Sequence, residues 1–203
     1  MRPIAGYDGA QANTGAFERI EAGGYVCVIK RAYECATTGG KDMLAIEFDV
    51  AEGKYKDYFK NDCERRQRNA NGYGTVKWRG IYRQLVHDNE GNANAFFKGM
   101  IQSIEGSNLG YRWDWDETKL TGKRVGIVFR DEEYPRDDGG IGVSAKPAWV
   151  RTVDEIKKGI VVPDVKRLNP ASGGFSGGYS GSNADTNAPY DAPPPGDDDL
   201  PWS

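Results

Sequence analysis

The sequence predicts a mainly β domain of five strands with a helical insertion between the third and fourth strands, followed by an acidic C-terminal tail. Three observations lead to this prediction. Apolar residues alternate along several short segments bounded by glycines, as they do in half-buried strands. One longer segment carries an apolar stripe at helical spacing. After Asn169 the composition changes to Gly, Ser, Pro and Asn, which cannot form a packed core.

The first two strands are predicted from their apolar patterns, and the third is more polar. Segment 23–34 is rich in β-branched and aromatic residues behind a glycine pair, and segment 43–53 alternates strictly. The apolar face of this second strand consists of Leu44, Ile46, Phe48 and Val50. Segment 54–64 is predicted as a third, edge-like strand.

The helical insertion contains two segments. In segment 75–86, four apolar residues recur at helical spacing: Trp78, Ile81, Tyr82 and Leu85. On this predicted helix Arg79 and Arg83 are one turn apart and face solvent. Segment 92–106 has the clearer stripe, formed by Phe96, Phe97, Met100, Ile101 and Ile104.

Two further strands complete the predicted domain. Val125, Ile127 and Phe129 alternate in segment 123–134, and segment 143–153 follows a charged glycine loop. A final helical turn is expected near residue 153. Three strands, a helical insertion and two strands is the order of a closed five-stranded barrel of the OB type. The alternative is an α+β sheet with a helix on one face.

The chain divides into four predicted regions. Residues 1–22 form an N-terminal arm, 23–168 the OB-like domain, 169–196 a disordered linker, and 197–203 an acidic tip. The 203 residues have a formal net charge of −3, but no Lys or Arg follows Arg167, whereas five of the 30 acidic residues do. The body is therefore weakly basic, at +2. This asymmetry indicates a nucleic-acid partner or an interaction tail.

Cysteine and histidine usage argues against a metal site. Cys27, Cys35 and Cys63 match no zinc spacing, and His87 is the only histidine. We therefore expect reduced thiols and no cofactor. No segment approaches the roughly 20 consecutive apolar residues of a membrane span, and the N-terminus lacks the apolar core of a signal peptide. We expect a cytoplasmic protein that does not contact membranes.

Basic and aromatic residues are interleaved between residues 54 and 83, as a groove for a single nucleic-acid strand requires. Cations follow the phosphates, while rings stack on bases at about 1–3 kcal/mol each. Segment 64–74 is the densest part and is predicted to be a mobile basic loop. The candidate phosphate contacts are Lys60, Arg65, Arg66, Arg68, Lys77, Arg79 and Arg83, and the candidate stacking residues are Phe59 and Tyr73. A solvated cationic surface with core aromatics is the alternative.

Segment 111–117, YRWDWDE, alternates aromatic and charged residues. One hypothesis makes Asp114 and Asp116 a metal-binding pair for phosphodiester cleavage. A nuclease motif usually contains further carboxylates and a Lys or His, and no such motif spacing occurs here. We therefore favour the alternative that the tryptophans pack against the domain. We expect no enzymatic activity.

The acidic tip resembles the C-terminus of bacterial and phage single-stranded DNA-binding proteins. Those proteins end in several aspartates, an aliphatic residue, proline and phenylalanine after a Gly/Pro/Ser-rich linker. The matching residues here are Asp197, Asp198, Asp199, Leu200, Pro201 and Trp202. Trp202 stands in place of the phenylalanine, and Ser203 follows it. The resemblance implies that the tip binds replication and recombination proteins.

The body, over roughly residues 20–168, resembles a family of phage and prophage single-stranded DNA-binding proteins. The similarity rests on GGYVCVIKRA, LAIEFDVAEGKYKDYFK, FFKGMIQSIEGSN, YRWDWDE and LTGKRVGIVFRDEEY. It implies an OB-like core that binds single-stranded DNA without sequence specificity during phage DNA replication, recombination or repair, in the cytoplasm of the host cell. A protein-interaction adaptor and a metal-dependent nuclease are the alternative functions. A barrel edge offers a route to a homo-oligomer, but no interface stripe identifies one.

Overall fold

A computed structural model of the chain describes residues 18–70 and 74–168. In this part of the chain five strands form one antiparallel sheet, so the predicted mainly β class is confirmed. The strands are β1 (Gly23–Ala36), β2 (Asp42–Val50), β3 (Ile81–Leu85), β4 (Arg124–Pro135) and β5 (Ile141–Arg151). The α-helices are α1 (Tyr58–Asn69), α2 (Ala95–Ser107) and α3 (Val153–Lys158), and a 3₁₀ turn spans Glu117–Leu120.

The strand order in the sheet is β3-β2-β1-β4-β5. The long strand β1 belongs to two ladders: residues 23–28 pair with β4, and residues 27–36 pair with β2. A register shift between Ile29 and Arg31 lies where β1 leaves β4. A bulge of this kind bends a strand and increases its twist, so β1 can direct its two halves toward different neighbours.

The sheet is open between β3 and β5, so the expectation of a closed barrel is wrong. Strand β3 has only five residues, and β5 contains Pro147, which lacks the N–H needed for ladder pairing. Helix α2 contacts β3, β4 and β5. It therefore packs against both edge strands, which no ladder joins.

Two elements differ from the prediction: a predicted strand is a helix, and a predicted helix contains a strand. Segment 54–64, predicted as the third strand, contributes to helix α1, and segment 75–86, predicted as a helix, contains strand β3. The third strand thus lies later in the chain than expected, which preserves the predicted count of five strands. The other four strands, helix α2 and the final helical turn are confirmed.

The core lies between one side of the sheet and helices α1 and α2. The predicted apolar faces of β2 and β4 both enter it, and Phe48 and Phe129 are fully enclosed. In α2 the predicted stripe is buried except at Phe96, whose side chain is exposed. Among the described residues, no helix is both long and apolar enough to cross a membrane.

Helix α3 covers part of the opposite side of the sheet. Its N-terminus is held by a capping box between Thr152 and Glu155. Ile156 of this helix packs onto Gly24 and Gly126, where an added Cβ would come within 2.9 and 2.4 Å of its side chain. The two glycines therefore allow the helix to approach the backbone of β1 and β4.

Candidate nucleic-acid interface

Helix α1 and the segment 74–80 that follows it carry six cations and only two acids. We call these six residues the cation cluster: Lys60, Arg65, Arg66, Arg68, Lys77 and Arg79. All six were candidates from the sequence. The structure brings them together on a helix and an adjoining segment that leads into β3. The arginines of α1 therefore lie on a helix and do not form the predicted mobile loop.

Asp62 joins three members of the cation cluster. It is only 3% exposed, and its carboxylate accepts hydrogen bonds of 2.8 Å from Arg65 Nη2 and from Arg66 Nε. The guanidinium of Arg79 lies 3.7 Å away. Arg66 also donates to the carbonyl oxygen of Lys77 at 2.7 Å, which joins the helix to segment 74–80.

The electrostatics of Asp62 follow from these contacts. Burial alone would raise the pKa of its carboxyl group, but the hydrogen bonds from Arg65 and Arg66 and the charge of Arg79 outweigh it, so the pKa is lowered. One buried negative charge thus orients three cations. Because the positive charges of these guanidinium groups compensate the carboxylate, it adds little negative potential to the outer surface.

Three members of the cation cluster have no acidic partner in the described part of the chain. Lys60, Arg68 and Lys77 are all exposed, and their charged groups form no ion pair there. Unpaired cations on an ordered surface are available to phosphate groups, because binding does not require the rupture of an existing ion pair. These three residues are therefore the best candidates for phosphate contacts.

Helix α1 begins where it does because of a carboxylate from β2. Asp49 is fully buried and accepts hydrogen bonds from the backbone N–H groups of Phe59 and Lys60 at 2.9 and 3.1 Å, and from its neighbour Val50 at 2.9 Å. Burial raises the pKa of Asp49, and the three backbone donors oppose that rise. This contact fixes the helix that presents Lys60.

The two predicted stacking residues have different outcomes. Phe59 is 6% exposed and packs between Phe48 and Phe129, with ring centroids 5.5 and 6.2 Å away. It is a core residue, so the expectation that it stacks on bases is corrected. Tyr73 lies outside the described residues. Trp78 is half-buried against the core, and its indole N–H donates to the carbonyl oxygens of Phe48 and Gly80.

Arg83 lies on strand β3, not on the predicted helix, and its register places it beside residues that the sequence did not single out. Ala45 pairs with both Tyr33 of β1 and Arg83 of β3, so Tyr33 and Arg83 flank a small residue on one side of the sheet. We call this side of the sheet the β1–β3 face. Here Arg31 lies over the ring of Tyr33 at 4.4 Å and within 3.5 Å of Glu47.

The β1–β3 face adds Arg31 and Tyr33 to the candidate site. Arg31 is largely exposed and Tyr33 is half-buried, and the pair combines a cation with a ring, the two groups that contact an unpaired strand. In the sequence, the polar and aromatic residues Arg31 and Tyr33 alternate with the small apolar residue Ala32, and this pattern could have identified them. The bulge at residue 30 obscured it, because it changes which residues share a side of the strand.

The carboxylates of segment 111–117 are engaged in local contacts. Lys119 forms ion pairs with both Asp114 and Asp116, and Asp116 also accepts a hydrogen bond from the backbone of Thr118. Trp113 packs against the core as expected, whereas Trp115 is exposed. Across residues 18–70 and 74–168, no group of three or more His, Cys, Asp or Glu side chains is placed to hold a metal ion.

No protein-family model matches the chain, and no curated protein matches it significantly. The residues predicted to form the acidic tip, 197–203, lie outside the described part of the chain. The features that indicate a function are therefore the cation cluster, the β1–β3 face and the sequence of the tip.

Proposed function

We propose that this protein binds single-stranded DNA without sequence specificity and is not an enzyme. The observation that carries the proposal is the cation cluster: three of its six cations surround the buried carboxylate of Asp62, and the other three have no acidic partner among the described residues. A surface of this kind binds a phosphate backbone whatever the bases are, because phosphates carry no sequence information.

We also propose that the domain is a partly open relative of the OB barrel. Three features support this: the strand order β3-β2-β1-β4-β5, a bent β1 that belongs to two ladders, and helix α2 between β3 and β4. OB folds bind oligonucleotides on the side formed by their second and third strands. In this chain that side is the β1–β3 face, with Arg31, Tyr33 and Arg83.

The physical mechanism divides the work between charges and rings. Lys60, Arg68 and Lys77 take phosphates and release the counterions condensed on the strand, so affinity falls steeply as salt rises. Tyr33 offers a ring to a base, and stacking tolerates any base because each has a π face. A duplex hides those base faces, so the protein prefers an unpaired strand.

The direct test is a binding titration with fluorescein-labelled oligo-dT and with a duplex of equal length, at two salt concentrations. We expect tighter binding of the unpaired strand and a loss of affinity at higher salt. Incubation of the labelled strand with Mg²⁺ distinguishes the nuclease alternative, since cleavage supports an enzyme and a stable shift supports a binder. Failure to bind oligo-dT even at low salt would overturn the proposal and favour the adaptor alternative.

The acidic tip supports a role in replication, recombination or repair, by the resemblance of residues 197–203 to the tips of single-stranded DNA-binding proteins. A tethered tip places its ligand groups near any partner that reaches the same strand, at high effective concentration. Trp202 and Leu200 supply an apolar anchor, and the aspartates direct it toward basic pockets.

Deletion of residues 197–203 separates the two activities of this proposal. We expect oligo-dT affinity that is equal or tighter, because the polyanion no longer competes for the cation cluster, and loss of binding to partner proteins. Titration with oligo-dT measures the first effect, and co-purification of a replication or recombination protein from the same genome measures the second. A weaker affinity for oligo-dT after deletion would contradict this assignment.

A further inference from the structure

Trp115 is the most exposed aromatic side chain among the described residues. The residue is 74% exposed, whereas Phe96 and Tyr134, the next most exposed aromatic residues, are 45% and 46% exposed. An indole presents a large apolar area that is more favourably covered than left in water. The packing of the domain core does not use most of this ring.

The backbone holds Trp115 in an unfavourable conformation. Its φ is 66°, in the left-handed region, where side chains with a Cβ are disfavoured and Trp has no local hydrogen bond to compensate. Neighbouring contacts keep it there: Lys119 bridges Asp114 and Asp116, and the backbone N–H of Trp113 donates to Glu105 at 2.8 Å. Backbone strain of this kind persists where surrounding contacts determine it and often accompanies function.

Trp115 is the outer end of an aromatic step, which we define as Tyr111, Trp113 and Trp115. The rings of Trp113 and Trp115 are 6.1 Å apart, and Trp113 packs against the core, so it supports its exposed neighbour. At the inner end, the ammonium of Lys123 lies 4.5 Å from the centre of the Tyr111 ring. A cation therefore lies beside the first ring of the step, and the last ring is exposed.

The segment that follows the aromatic step is hydrogen-bonded to β1 next to its bulge. The backbone N–H of Ile29 donates to the carbonyl oxygen of Lys123 at 2.9 Å, and the N–H of Gly122 donates to the carbonyl oxygen of Ile29 at 2.8 Å. Lys30 and Arg31 follow Ile29 directly at the bulge, and both are exposed. Cations therefore mark the passage from Tyr33 to the aromatic step.

We propose that Trp115 stacks on a base of an unpaired strand that passes from the β1–β3 face over the β1 bulge onto the aromatic step. Lys30, Arg31 and Lys123 supply the charge complementarity for its phosphates, while Lys119 neutralises the two aspartates beside the ring. This inference rests on the proposed function and extends the binding surface to a segment that the sequence analysis assigned to packing.

The test uses the full chain with oligo-dT and the variants Trp115→Asn and Trp115→Phe. Asn tolerates the left-handed conformation, so Trp115→Asn keeps or raises the thermal unfolding midpoint while its affinity for oligo-dT falls at least about fivefold, the loss of one stacked base. Trp115→Phe retains a stacking ring and most of the affinity. In this variant, the decrease in tryptophan fluorescence on addition of DNA is smaller, because the contribution of Trp115 is absent.

Phe96→Ala is the matched control, because it removes another exposed aromatic ring outside the aromatic step, and it leaves affinity unchanged. Two results would overturn the inference: unchanged affinity in Trp115→Asn, or an equal loss in Phe96→Ala. Because the wild-type chain must bind oligo-dT in either case, these outcomes reject the Trp115 site without rejecting the proposed function. Absence of binding by the wild-type chain rejects the proposed function itself.

Discussion

Two buried carboxylates determine how the candidate site is organised, and they do so by different means. Asp49 is stabilised by backbone N–H groups, which do not fully offset its burial, so its pKa is raised. Asp62 is surrounded by arginine side chains, which more than offset its burial, so its pKa is lowered. Asp49 therefore positions the start of α1, whereas Asp62 positions the arginine side chains that contact it.

Substitution Asp62→Asn tests this organisation at the residue scale. We expect a loss of about 1–3 kcal/mol in the free energy of unfolding at pH 7, because two arginines lose a charged, buried acceptor. A lowered folded-state pKa contributes stability that is fully present above the usual value of 3.8. This contribution is lost progressively as the pH falls from that value through the lower folded-state pKa. Urea unfolding from pH 7 to pH 3 should therefore show the gap between wild type and variant starting to narrow at the acidic end.

Asp154→Asn is the control for this series, since Asp154 is an exposed acid in the first turn of α3. Its effect should stay within about 0.5 kcal/mol. Equal stability of wild type and Asp62→Asn at pH 7 would contradict the role assigned to Asp62.

At the scale of elements, the sequence predicts those segments whose conformation is determined by their own pattern. Strands β2 and β4 are predicted by the alternation of apolar and polar residues, and helix α2 is predicted by its apolar stripe. Helix α1 and strand β3 were exchanged because remote contacts determine them: Asp49 of β2 caps α1, and Phe48 of β2 accepts the indole hydrogen bond of Trp78 just before β3. Neither contact can be predicted from the spacing of apolar residues in the sequence.

The candidate site divides in the same way. The density of Lys and Arg between residues 54 and 83 predicted the members of the cation cluster, because charge density needs no knowledge of the fold. The core position of Phe59 and the membership of Tyr33 depend on which side of an element faces inward. That information follows from the register and the bulge, which appear only in the folded chain.

Substitution Gly80→Ala tests the remote contacts at the element scale. A Cβ at this position would lie 2.4 Å from the carbonyl oxygen of Phe48 and 2.6 Å from the Phe59 ring, so β3 must move away from β2. We expect destabilisation by about 1–3 kcal/mol, the range for an overpacked core. Thermal and urea unfolding measure it.

For Gly99→Ala we expect the opposite change in stability in the same unfolding experiments. Gly99 lies within α2, and an added Cβ would meet nothing within 4 Å. Replacing a helical glycine with alanine should stabilise the protein by about 0.5–1 kcal/mol. If both variants change stability in the same direction, close packing at Gly80 does not explain the position of β3.

At the scale of the whole molecule, charge is separated along the chain. The basic body contains the cation cluster and the β1–β3 face, and the acidic residues after Arg167 follow it in sequence. The chain connects the two parts of the site directly, since segment 74–80 with Lys77 and Arg79 leads into β3 with Arg83. The two parts of the site are therefore adjacent in sequence.

The combined variant Lys60→Ala, Arg68→Ala and Lys77→Ala tests this surface without disturbing Asp62. Each lost phosphate contact should reduce the slope of log affinity against log salt by about 0.7 for a single strand, so the slope should become shallower by about 2. The matched control removes the same charge from exposed lysines elsewhere, as Lys98→Ala, Lys146→Ala and Lys158→Ala. Titration of both variants with oligo-dT over a salt series separates a local contact from net charge. Equal slopes in the two variants would show that the cation cluster does not contact the strand, because only its location distinguishes it from the control.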